Sequence, residues 1–397
     1  MSNVPKLRFK EFSGEWKTKQ LKEVTTYVDY RGRAPIKTDK GHFLVTAKNI
    51  KKGFIDYECS KEYVAKDDYT NVMSKGLPEI GDVLFTTEAP MGNVAQVNDK
   101  NIALAQRVIK LRAKKIILNS YLLHYMLSPI YQSLILKKSI GTTVQGISGK
   151  ELHKTNISFS SISEQEKIAS FLTSVDTKIE QLIKKESLLQ EYKKGVMQKI
   201  FNQEIRFKAD DGSEFCEWEW KYGNEIFETI SNKNHNSELP VLAITQEYGA
   251  IPRDMIDYQI SVTDKSVATY KVVEIGDFII SLRSFQGGIE YSNYKGICSP
   301  AYIILRPHIE VDDRLYKLYM KTDNYIKELN KNIEGIRDGK MISFKQFSEI
   351  KLPYPSIEEQ IKIANFLSLI NNKIEQVQKQ LESSKEFKKA LLQQMFV

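Results

Sequence analysis

From Ser161 onward, apolar residues return at alternating steps of four and three: Ile168, Leu172, Val175, Ile179 and Leu182, then Leu189 and Val196, with breaks at Glu186 and Lys193. The spacing recurs after Ser356 at Ile363, Leu367, Ile370, Ile374, Val377, Leu381 and Leu391, with breaks at Ser384 and Lys388. Such spacing predicts two long helices, each with a narrow apolar stripe of the kind that forms the seam of a two-helix coiled coil. Ser161 with Glu164, and Ser356 with Glu359, fit the S-x-x-E capping box that starts a helix. A helix with so exposed a stripe is unstable alone, so each needs a partner. The other copy is the obvious one; packing of each helix onto its own domain is the alternative.

The two stripes belong to a repeat. Ser161–Phe201 aligns without a gap on Ser356–Phe396, an offset of 195, with 19 of 41 positions identical. Glu79-Ile-Gly-Asp82 and Glu274-Ile-Gly-Asp277 share that offset although they lie far outside the helical segments. The chain therefore reads as two tandem copies of a whole half, as a search for internal repeats should establish before any fold is assigned. Each helix is expected to run about 38 residues, or about 55 Å at about 1.5 Å per residue.

Ahead of each helix the pattern changes. Short β-rich runs such as Gly41–Thr46, Asp82–Thr86 and Asp277–Ser281 alternate with Gly, Asn and Asp turns, and helices are expected over 119–136 and 313–331. The expected class is α+β. Its segments are a first mixed α/β domain (1–160), a central helix (161–206), a second such domain (207–354) and a C-terminal helix (355–397). Outside the shared Glu-Ile-Gly-Asp, the two heads have diverged, as two different reading heads on a common frame would.

Candidate contacts follow from polar residues at strand ends and in turns, where function concentrates. In the first head these are the basic loop Tyr30, Arg31, Arg33 and Lys37, with Thr86, Thr87, Arg107, Gln145, Ser148 and Lys150. In the second they are Arg283, Ser284 and Gln286, with Arg337 and Lys340. Arginine pairs bidentately with guanine or contacts phosphate, so some of this set are expected to touch DNA, with a solvated turn or ordinary surface as the alternative for any one of them. A rod longer than the ~34 Å turn of B-DNA would let two heads occupy successive turns on one face of the duplex.

Charge changes this picture only in part. The net charge is +8, but residues 1–160 carry 26 Lys+Arg against 15 Asp+Glu, and residues 207–354 carry 18 against 23. A second DNA-binding head would have to use a local basic patch. A coiled-coil scaffold that bridges proteins without reading DNA stays open for that reason. No apolar run is long enough for a membrane span, and the start lacks a secretory apolar region, so a cytoplasmic protein is expected. The three cysteines are far apart, which argues for reduced thiols and against zinc. No phosphate loop, dinucleotide fingerprint, H-E-x-x-H, G-x-S-x-G or Asn-Pro-Pro-aromatic motif occurs; Gly141–Gly146 continues with Ile147-Ser148 and lacks the phosphate-binding lysine. A binding protein is expected, not an enzyme.

The paired S-I-x-E-Q-x-K-I-A-x-F-L segments, each behind a variable domain with a Gly-Asp-aliphatic-aliphatic strand, resemble those of type I restriction–modification specificity subunits. So does the opening Val4–Phe9 followed by Gly14-Glu15-Trp16. One departure is Ser160, where the family commonly has proline, as in Pro355. The resemblance implies two target-recognition domains, each reading one half of a split asymmetric site in double-stranded DNA. It implies antiparallel pairing of the two helices as a spacer, with two methyltransferase subunits docked on that frame and restriction subunits joining them. It assigns no cofactor to this chain: S-adenosylmethionine, ATP and magnesium would belong to partners. In such a pair, the breaks at Glu186 and Lys193 are expected to face those at Ser384 and Lys388.

Overall fold

A computed structural model describes residues 3–30, 35–141, 144–236, 238–256, 267–331 and 342–397. Two compact units make up the chain, residues 1–184 with 377–397, and residues 185–376. Each takes one head and a part of both long helices. Those helices are Ile162–Phe201, 40 residues, and Ile357–Gln394, 38 residues.

In the first unit, Ile168, Leu172 and Val175, with the partly buried Ile179, share one core with Leu391, Leu392, Met395 and Phe396. In the second, Ile363, Leu367, Ile370 and Ile374 share a core with Val196, Met197, Ile200 and Phe201. The start of each helix thus meets the end of the other, and the pair is antiparallel in both units. Leu182 and Val377 are buried as well. Both proposed partners of the stripe are real: the same cores take in head residues, Trp16, Tyr121 and Tyr125 in one and Trp218, Tyr316 and Tyr319 in the other. Burying a large apolar side chain stabilises by about 1.5–3 kcal/mol, so this joint fixes helix to head as well as helix to helix.

The heads share a four-stranded sheet and a terminal ribbon, and differ in their remaining strands, which form one three-stranded sheet in the first and two separate two-stranded sheets in the second. A four-stranded antiparallel sheet in the first runs Thr25–Asp29, Val108–Ala113, Val83–Thr86, Val94–Gln96. Its counterpart in the second runs Phe227–Ile230, Ile303–Pro307, Phe278–Ile280, Glu290–Tyr291. A ribbon joins the ends of each head: Lys17–Gln20 with Asn156–Phe159, and Glu219–Tyr222 with Lys351–Tyr354. The duplication therefore embraces the heads, where little sequence identity survives. Each expected head helix is broken in two. Ser128 ends Asn119–Leu127 and caps Pro129–Lys138, whose first residue is a proline with no N–H to satisfy. Thr322 similarly caps Asp323–Asn330 behind Asp313–Tyr319.

The Glu-Ile-Gly-Asp motif is a strand-entry turn. Asp82, buried, accepts from the Glu79 N–H at 2.9 Å and from Arg112 Nε and Nη2 at 2.7 and 2.8 Å. Asp277 accepts equivalently from the Glu274 N–H at 2.8 Å and from Arg306 at 2.7 and 2.8 Å. Lys110, 3.4 Å from Asp82, is an addition of the first head; Ile304 occupies its place in the second. Burial pushes the Asp82 pKa up, but hydrogen bonds from Arg112 and the Glu79 N–H, together with Lys110, outweigh it and hold the carboxyl below its ordinary range.

The repeated S-x-x-E-Q segment builds the joint between helix and head. Ser161 Oγ accepts from the Glu164 N–H at 3.4 Å and Ser356 Oγ from the Glu359 N–H at 3.3 Å. The glutamates serve more distant partners than the reciprocal box requires. Glu164 takes Arg8 at 2.8 and 2.9 Å; Glu359 takes Arg206 at 3.1 Å and the Trp218 indole N–H at 2.9 Å. Gln165 accepts from the Leu118 N–H and donates to the Ser160 carbonyl, both at 2.9 Å; Gln360 does the same with Asp312 and Pro355 at the same distances. Because only that carbonyl is used, Ser160 substitutes for proline without loss of the contact.

The polar breaks in the stripes do not face one another. Lys388 pairs with Asp176 in the first unit, whereas Lys193 lies in the second. Within each unit, antiparallel pairing sets the second half of one helix against the first half of the other. Among the described residues, no helix is long and apolar enough to cross a membrane, and no group of three or more His, Cys, Asp or Glu residues could hold a metal.

Candidate nucleic-acid interface

In the first head, three segments converge at the end of the central strand Val83–Thr86. The Thr87 N–H and hydroxyl both donate to the Arg107 carbonyl, at 2.9 and 3.2 Å, and the Ile147 N–H donates to the Thr87 carbonyl at 3.0 Å. Glu88 forms a β-bridge with Gly146. This framework carries an exposed pair, Arg107 Nε to Glu88 Oε1 at 2.7 Å. Arg107 has φ +70°, a left-handed conformation costly for a residue with a side chain and retained where surrounding structure fixes it, often at functional sites. Gln145, Ser148 and Lys150 are exposed on the adjoining segment, and Ser148 also caps the helix Gly149–His153 by accepting from the Glu151 N–H at 3.2 Å. Beside Gln145 runs a cleft of about 740 Å³ walled by Pro90, Met91, Gln132 and Leu136.

Several expected contact residues point inward instead. Tyr30 is buried, its hydroxyl donating to the Gly76 carbonyl at 2.6 Å, and burial raises its pKa. Thr86 is fully buried, its oxygen accepting from the Asn93 N–H at 2.9 Å, and Thr87 is buried by its bond to Arg107. Ser284 is buried and accepts from the Ser281 N–H at 2.9 Å. These four organise the loops that carry the exposed residues. Lys37 is exposed but pairs with Glu62 at 2.9 Å. Arg31, Arg33, Arg337 and Lys340 lie outside the described residues.

In the second head the corresponding strand, Phe278–Ile280, leads to Arg283 and Gln286, both exposed, around the short helix Ser284–Gly287. Its backbone is tied down from three sides: Gln246 donates to the Arg283 carbonyl at 3.2 Å, Asn330 to that of Phe285 at 2.7 Å and Lys321 to that of Gly287 at 2.9 Å. By the repeat offset, Arg283 stands where the first head has Glu88. The same rigid place thus presents an acid paired to an arginine in one head and an arginine in the other. Glu88 escaped the sequence reading; its only local signal was its place directly after Thr86-Thr87 at a strand end.

Duplicated α+β heads on paired antiparallel helices, with the exposed polar chemistry gathered on loops, define a tandem binding frame with two non-equivalent faces. The chain belongs to the family of the type I restriction modification DNA specificity domain, whose model matches residues 13–190 and again 213–383. It is 27% identical over 416 residues to the MjaX specificity subunit of Methanocaldococcus jannaschii, across 98% of this chain and 95% of that one. To the type I restriction enzyme MjaVIII specificity subunit of the same organism it is 25% identical over 415 residues, across 97% and 94%. The crystal structure of the type I restriction-modification system S subunit from M. genitalium has the same fold, with a TM-score of 0.61, 17% identity and 99% of each chain covered. A chain from a study of complex assembly and conformational transition of the type I R-M system superposes with a TM-score of 0.54 at 20% identity, over 95% and 96%.

Proposed function

We propose that this chain is the non-catalytic specificity subunit of a type I restriction–modification enzyme. Each head reads one half of a bipartite, asymmetric site in double-stranded DNA. The paired helices set the spacing between the halves and dock two methyltransferase subunits, through which restriction subunits join. The carrying observation is the corresponding end of the same strand in the two heads, tied down in each and armed differently: Glu88–Arg107 in one, Arg283 and Gln286 in the other. Arginine bidentate to guanine and glutamate accepting from cytosine are different readings of the major groove, so unlike side chains at one position give unlike half-sites. Docking is supported by apolar side chains left exposed on the helices, Leu188 and Tyr192 at 54% each and Leu369 at 62%. S-adenosylmethionine, ATP and magnesium are assigned to those partners.

Methylome sequencing tests this in a host carrying the cognate methyltransferase subunit, with and without this chain. A bipartite methylated motif should appear only in its presence, and exchange of residues 15–160 for another head should change one half of the motif alone. Active methyltransferase with no motif that depends on the chain would leave a protein-bridging scaffold as the reading.

A further inference from the structure

The second unit holds a cleft of about 920 Å³ walled by the end of the first long helix, the helix Asp323–Asn330 and the ribbon Glu219–Tyr222 with Lys351–Tyr354. That volume suits a small organic ligand. Trp220 and Tyr222 are two residues apart on one strand, hence on one face, and both line the cleft at 45% exposure. Lys351, opposite Tyr222 in the ribbon, holds its ammonium 5.3 Å from that ring's centre.

The charges in the cleft are unevenly matched. Lys194 is bound to Asp323 at 2.8 Å and Lys331 to Glu328 at 2.5 Å. Lys193 has no ion pair among the described residues, and burial together with the neighbouring cation of Lys317 lowers its pKa. The other copy provides the comparison. At the repeat offset of 195, Lys193 corresponds to Lys388, which is held by Asp176; the counterpart of Asp176 is Asn371. Thr18 and Gln20 occupy the places of Trp220 and Tyr222 in the first ribbon. The second unit has therefore lost the carboxylate partner of a half-buried lysine, and the cleft that this lysine lines has gained two exposed aromatic rings. A cleft lined by an unmatched lysine and by a stacking platform calls for a ligand that supplies an anion and a flat ring.

We infer that this cleft is a nucleotide site, in which a base stacks on Trp220 and Tyr222 and a phosphate sits beside Lys193 in the role that Asp176 plays for Lys388. Aromatic stacking accepts any base, since every base has a π-face, and the lysines supply the phosphate contacts. The nucleotide is either free or part of a single strand. The inference does not depend on how the heads read DNA.

Trp220 makes the test direct, because Trp16 and Trp218 are buried, at 3% and 6% exposure. The full chain is titrated with AMP, a short single-stranded oligonucleotide, inorganic phosphate and polyglutamate while tryptophan emission is followed. AMP or the oligonucleotide should quench saturably: AMP quenching identifies a free nucleotide, quenching by the oligonucleotide alone a strand. Phosphate should compete weakly without quenching. Asn371→Asp, which restores the carboxylate of the first unit and keeps the side-chain shape, should weaken binding about tenfold with an unchanged melting curve, the loss expected for one charge-assisted contact. Trp220→Phe should abolish the quench yet retain binding by calorimetry. Absence of saturable quenching by either nucleotide, unchanged affinity in Asn371→Asp, or polyglutamate competing as strongly as nucleotide would each overturn the assignment.

Discussion

Asp82→Asn tests whether the shared strand-entry turn is held by charge or merely by shape. The substitution keeps the volume and one acceptor oxygen but removes the negative charge from a site that serves Arg112 at 2.7 and 2.8 Å and Lys110 at 3.4 Å. The new amide N–H₂ also faces guanidinium donors. Lys110 is only 5% exposed, so water cannot replace the lost counter-charge. Removing one partner of a buried ion pair typically costs about 3–5 kcal/mol, and Asp82→Asn should fall in that range. Asp277→Asn should cost less, about 1–2 kcal/mol, because Arg306, the cation it pairs with among the described residues, is 38% exposed and no buried lysine is paired there among them. Two compact units need not unfold together, so a single denaturation midpoint is the wrong measure. Hydrogen exchange of the strands Val83–Thr86 and Phe278–Ile280 reports each head separately. Equal losses in the two variants, or losses under about 0.5 kcal/mol in both, would show that charge does not hold the turn. Because Asp82 has a depressed pKa in the folded state, its contribution is complete above the ordinary carboxylate range and disappears as pH falls through the depressed value. Asp82→Asn should remove that part of the acid transition.

Arg107→Ala should weaken methylation at one half-site about tenfold or more and relax its base preference, with the other half unchanged; Glu88→Gln should alter the same half, and motif sequencing reads both. His124 is buried and, by burial and the nearby Lys388, its pKa is lowered to about 3. It is neutral at ordinary pH, so its 4.0 Å approach to Asp176 is no ion pair. Since the unfolded imidazole takes a proton near pH 6.5, the first unit should lose stability as pH falls from there toward 3, by at most about 1.4 kcal/mol per pH unit; His124→Leu should flatten that slope in acid unfolding. Gly288 has φ +79°, and a β-carbon there would lie 2.0 Å from the Met320 carbonyl oxygen. Gly288→Ala should destabilise the second head by more than about 2 kcal/mol in denaturant melts and leave exchange in the first head unaltered.

The long helices were legible because periodicity is a local property, and the repeat supplied a second copy that fixed their starts to within two residues, while their ends, set at 206 and 397, fall at Phe201 and Gln394. What their glutamates do was not legible. S-x-x-E reads locally as a cap, yet Glu164 answers to Arg8, 156 residues away, and Glu359 to Arg206, 153 away. Tyr30 looked like an aromatic flank of a basic loop; a hydrogen bond to Gly76, 46 residues distant, draws it inside. Thr86, Thr87 and Ser284 were rightly placed at strand ends, but one-residue steps along a strand exchange its faces, and sequence did not say which face was covered. Arg107 was visible as a charge at a turn, whereas its partner Glu88 became evident only when Gly146 and Ile147 met the strand end.

Each compact unit takes one head, the leading part of the helix that follows it and the trailing part of the other copy's helix. A forebear of half the length would already have owned every piece of such a unit, though never within one molecule. Two copies exchanging helix ends would have completed both units at once, with identical faces. Fusion of the gene to itself freed the copies to differ, and Glu88 against Arg283, or Asp176 against Asn371, are divergences that no self-paired ancestor could have held.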